Sequence, residues 1–267
     1  MQTTHRLAVR VLDGVRHESP PPRTGNAAAS APVLANSCDT SPWQIELALE
    51  TDQDTEEESP VASKAREQMA TALDDVETLA NAGRGIPNGP AVRSALVLLC
   101  TALEAYVEDV TVEAVESIVA LPSVTPDRLP KPLHHWIAER VKTKNPWDLA
   151  GGGWKSYTVE CVQSRVDSLN TPDSKNVNEL LERTLGLKNA LGQVSWQKMS
   201  SSEIAERLDL LITIRGNAVH RGETPGDLNI GGVFWWHNWS TRLADKLDAL
   251  ISDHLRDQYG LTLAADG

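Results

Sequence analysis

IAERLDLLITIRGNAVHRG, residues 204–222, has the spacing of one amphipathic helix that stops at a glycine. Ile204, Leu208, Leu211, Ile212 and Val219 recur at helical intervals and define one apolar stripe. At about 100° per residue, Arg215 falls in the middle of that stripe, beside Leu208 and Leu211. Arginine is rarely buried unless paired, so this placement needs a reason. His220 lies roughly 140° further round and about 7.5 Å along the axis. One straight helix therefore does not aim both side chains at one phosphate. Either the last turn distorts before Gly222, or a second chain completes the site. A structural alternative stands beside both: an arginine paired with a carboxylate of a neighbouring helix, and a histidine that helps to cap the helix end.

The pair has a chemistry of its own. A guanidinium holds a phosphate with a fork of donors, and an imidazole moves a proton near neutral pH. Together they are the minimum equipment for cutting RNA without a metal.

Outward from this segment, the chain reads as mostly helical. Met69, Leu73 and Val76 place a helix from Ser59-Pro60, an N-cap and first turn, to Gly83. Leu96, Leu99, Leu103, Tyr106 and Val110 stripe a long helix over about 91–120, which Pro122 closes. Further helices are expected over about 174–185, 201–220 and 238–258. Residues 5–12 and 43–50 alternate apolar and polar, as in Leu7, Val9, Val11 and Trp43, Ile45, Leu47, and read as a strand pair. The expectation is an all-α bundle of about five helices over 59–260, with a Trp-rich insert at about 122–168 and a small β-strand pair within 1–58.

Three segments together resemble the HEPN superfamily, in particular its RiboL-PSP-HEPN branch. They are AVRSALVLLCTALEAYVEDV at 91–110, LNTPDSKNVNELLERTLGL at 169–187, and IAERLDLLITIRGNAVHRGETP at 204–225, which carries R-x-x-x-x-H. The resemblance implies an α-helical bundle that pairs as a two-fold homodimer, with the two motifs facing a shared cleft. It also implies a metal-independent endoribonuclease of toxin, anti-phage or RNA-processing type, or else an inactive module for dimerisation or for partner or nucleotide binding. Arg215 and His220 match the motif's two ends; Gly216 stands where many members carry a polar residue, with Asn217 one place on. On that reading His220 acts as general base and acid, Arg215 stabilises phosphoryl charge, and the product is a 2′,3′-cyclic phosphate. Asn217 and Glu104 are supporting candidates, Glu104 as an orienting group or a plain solvated glutamate. A protein antitoxin or operon partner is a further expectation.

Charge narrows the choice. The net charge of −12 argues against broad nucleic-acid binding. It is uneven: residues 1–60 hold four Lys/Arg against ten Asp/Glu, whereas 127–165 hold seven against four. Lys142, Lys144, Trp154 and Lys155 in that basic insert, together with Arg221, are the candidate RNA contacts, by charge and stacking. Trp136, Trp147 and Trp154 equally suit packing of the insert onto the bundle.

Other classes fall away. Gly151-Gly152-Gly153-Trp154-Lys155-Ser156 has a tryptophan where a phosphate loop needs glycine. His134-His135 lacks companions at zinc spacing, so neither metal nor cofactor is expected. Three scattered cysteines, no apolar run of membrane-spanning length and no signal-like N-terminus point to a cytoplasmic chain.

Overall fold

The computed structural model describes residues 62–169, 171–222 and 228–263. Within them lie eight α-helices and no strand: α1 (Lys64–Ala82), α2 (Pro90–Ala120), α3 (Lys131–Arg140), α4 (Pro146–Leu149), α5 (Gly153–Val166), α6 (Ser174–Leu185), α7 (Ser201–Arg221) and α8 (Ile230–Tyr259). The expected strand pair at 5–12 and 43–50 lies outside the described residues.

The long helix α2 is the axis of the bundle, packed by α1, α5, α6, α7 and α8. Pro90 at its first turn supplies a preset φ and lacks only an N–H that a helix start leaves unpaired. Leu99, Cys100, Ala102, Leu103, Tyr106, Val115 and Val119 are all buried and point in widely different directions, so α2 is apolar round most of its circumference, as a central helix must be.

Polar anchors tie the bundle together. Ser63 caps α1 by accepting from the Arg66 N–H, and its own N–H and hydroxyl both donate to Asp248 of α8. The Tyr106 hydroxyl on α2 donates to the Ala244 carbonyl at 2.9 Å. His254 on α8 donates from Nε2 to the Leu185 carbonyl at the end of α6.

Two boundaries differ from the sequence reading, and eight α-helices stand among the described residues where about five are expected. The first helix starts at Lys64 on the Ser63 cap rather than at Ser59-Pro60. The last helix starts at Ile230, capped by Asn229, so Phe234, Trp235, Trp236 and Trp239 lie within it. The glycine pair Gly231-Gly232 masks that start in the sequence. The insert at 122–168 is itself helical: α5 packs on α2 and α3 on α6. Trp136 and Trp154 pack against the core, whereas Trp147 is 84% exposed.

Candidate functional site

The helix α7 is built in two unlike halves. At its start Ser200 and Glu203 form a reciprocal capping box. Ile204, Leu208, Leu211 and Ile214 are then buried against the bundle. From Gly216 onward no residue of α7 is buried, and Val219, His220 and Arg221 are exposed. The helix nevertheless runs unbroken to Arg221, and Gly222 at φ 65° ends it with its N–H on the Asn217 carbonyl. The last turn does not fold back to bring His220 beside Arg215.

Arg215 is partly buried and set toward α2. Cys100 and Glu104, one helical turn apart on α2, both feel its charge. Burial pushes the Cys100 thiol up to about 12, against the lowering pull of Arg215 and with a further push from Glu104. Burial likewise raises the Glu104 carboxyl above the usual carboxylate range, while Arg215 draws it back. Glu104 is thus the neighbouring-helix carboxylate that a structural arginine would require. Among the described residues, however, no carboxylate comes within ion-pair distance of Arg215. The guanidinium fork remains open to another anion.

One turn further along α2, Glu108 continues the row, a group the sequence reading did not single out. Its carboxyl is raised to about 7, first by burial and then by the negative charges of Glu104, Asp109 and Asp167. Carboxylates at i and i+4 on a helix are a readable signal. That Asp167 joins them from the end of α5 is not readable from sequence, because it depends on how α5 packs.

The remaining candidates divide. Asn217 is partly buried and shares the His220 and Arg221 side of α7, away from Arg215. The insert residues stand apart from the motif and have partners within the chain. Lys142 pairs with Glu139 at 2.7 Å, Lys144 lies 4.6 Å over the Tyr157 ring, and the Lys155 amine donates to the Leu121 carbonyl at 2.9 Å. Trp154 carries Lys155 over its ring and packs on the core.

An all-helical bundle that presents an arginine and a histidine five residues apart at the end of a buried helix defines a HEPN-type domain. The family model for RiboL-PSP-HEPN matches residues 63–253, and the chain belongs to that family. HEPN-type domains are commonly ribonucleases or nucleotide-binding modules. No curated protein and no solved structure matches the chain. Among the described residues no helix is long and apolar enough to cross a membrane, and no group of three or more His, Cys, Asp or Glu is disposed to hold a metal ion.

Proposed function

We propose that the chain is a metal-independent endoribonuclease, of toxin or anti-phage type, acting as a homodimer whose sites combine Arg215 of one copy with His220 of the other. The observation that carries this reading is the split presentation on α7. Arg215 offers an open guanidinium on the bundle side, and His220 stands exposed on a different face of an undistorted helix. Two such helices facing one another across a two-fold axis bring unlike ends together. His220 takes the proton of the ribose 2′-hydroxyl, whose oxygen attacks the adjacent phosphorus. The P–O5′ bond breaks, and the leaving 5′-oxygen takes a proton from an imidazolium. Arg215 holds the phosphoryl oxygens as charge builds. DNA is not cut, because it lacks the attacking hydroxyl.

The test is cleavage of a mixed tRNA and mRNA pool in EDTA. Wild type is expected to leave 2′,3′-cyclic phosphate ends. His220→Ala is expected to lose about 10²–10⁴-fold in rate, and Arg215→Ala about 10²–10³-fold. The two inactive variants, mixed and allowed to exchange subunits, regain activity, because one composite site of the mixed dimer is intact. Equal inertness of all three proteins on every RNA overturns the enzyme and leaves an inactive HEPN module. Inactive single variants whose mixture regains nothing, beside an active wild type, overturn the composite site.

A further inference from the structure

We propose that a cavity between α3, α5 and α6, remote in sequence from the Arg215–His220 motif, binds a phosphate monoester group. This inference goes beyond RNA cleavage and does not rest on it.

The cavity encloses about 290 Å³, at the lower end of the roughly 300–1,000 Å³ that ligand pockets span. Three arginines line it from three different helices: Arg140 at the end of α3, Arg165 near the end of α5, and Arg183 near the end of α6. The hydroxyl-bearing Ser164 and Ser168 line the same space, and the Trp136 ring forms part of the wall.

Like charges drawn to one cavity repel unless something neutralises them. The protein supplies only part of that neutralisation. Glu179 takes one nitrogen of Arg183 at 2.6 Å and approaches one of Arg165 at 3.7 Å. Arg140 has no carboxylate within ion-pair distance among the described residues; its guanidinium lies 4.8 Å over the Trp136 ring. Glu160 lines an adjoining cavity with Arg140 and Tyr157 without pairing with Arg140. Glu179 is the carboxylate that pairs within this group of three arginines among the described residues, which leaves the lining of the space net positive.

Charge matching then selects the ligand. A phosphate monoester carries about −1.5 to −2 near neutral pH, with three acceptor oxygens. A diester within a nucleic-acid strand carries a single negative charge. Each guanidinium has five donors in a fixed fork, and Glu179 uses few of those on Arg165 and Arg183. Seen this way, Glu179 sets the two forks side by side and leaves their remaining N–H groups for the phosphate. A free mononucleotide and the 5′-phosphorylated end of a strand present the same group.

Calorimetric titration of the full chain tests the site with four probes: 5′-AMP, adenosine, and a short oligodeoxynucleotide with and without a 5′-phosphate. Neither DNA probe is cut by the proposed ribonuclease, so failure here is separate from failure there. The expected result is binding of 5′-AMP but not adenosine, weakened about tenfold or more by Arg140→Ala or Arg183→Ala, as loss of a charged hydrogen bond requires. Arg183→Lys restores only part of it. Arg256→Ala, which removes a charge paired with Asp253 on α8, leaves binding unchanged. Binding confined to the 5′-phosphorylated oligonucleotide supports the site and identifies a strand end as the source. Equal binding of phosphorylated and unphosphorylated probes, no binding of any, or parent-like binding by folded Arg140→Ala and Arg183→Ala proteins overturns it.

Discussion

The two halves of α7 differ in what holds them. From Ser200 to Ile214 the helix is capped, striped and buried on one side; from Gly216 to Arg221 none of its residues is buried, and a glycine stop ends it. The first half is explained by the fold. The second is not: Val219 stays 50% exposed on the sequence's own apolar stripe, and His220 has no hydrogen-bond partner among the described residues. What the fold does not require of a segment is free to serve a contact outside the chain.

That contrast breaks most readily on stability. Leu211→Ala empties a fully buried site and is expected to cost about 2–5 kcal/mol. Val219→Ala removes apolar surface already in water and is expected to change the stability of the separated monomer by less than about 0.5 kcal/mol. Chemical denaturation at protein concentrations that keep the chain monomeric measures both. Comparable losses at the two positions would mean that the last turns belong to the core after all.

Gly216 sharpens the comparison. A helix-interior glycine weakens a helix by about 0.8–1 kcal/mol relative to alanine, and a Cβ placed there meets nothing within 4 Å. Nothing inside the chain demands it. Gly216→Ala is therefore expected to raise Tm by about 2–4 °C. If a second copy or an RNA strand approaches closely beside His220, cleavage falls in the same protein. A rise in Tm with full cleavage would reduce Gly216 to an incidental weak point.

These contrasts also explain what was legible in the sequence. Periodicity is strongest where burial is one-sided, so α6 and the buried part of α7 were readable nearly to the residue. The start of α8 was not, because Gly231-Gly232 and the Trp-rich run that follows carry no clean helical stripe. The helices of the insert were hidden for a related reason. Pro126, Pro130, Pro132 and Pro146 punctuate short segments whose apolar residues are few, and α5 has buried residues only at Thr158, Cys161, Val162 and Val166. The motif itself was legible as residue types and spacing. That Arg215 faces Cys100 and Glu104, or that Arg140, Arg165 and Arg183 share a cavity, depends on tertiary packing that no local pattern encodes.

A pH-dependent effect lies on the α2 row that Glu104 begins, where the cost of gathering charge has a definite sign. Glu108 is raised to about 7 by burial and by Glu104, Asp109 and Asp167. A carboxyl raised in the folded state leaves stability intact while it is protonated, below the usual carboxylate pKa. Stability is then lost as pH climbs through about 7, because the folded chain must ionise a group it holds poorly. Glu108→Gln fixes the neutral form. It is expected to match wild type near pH 4 and to exceed it near pH 8, by about 1 kcal/mol or less once solvent screening of this partly exposed group is discounted. Thermal melts across that range measure the gap. A gap that opens toward acid instead would mean that Glu108 is stabilised as an anion, so that burial and its acidic neighbours do not govern it.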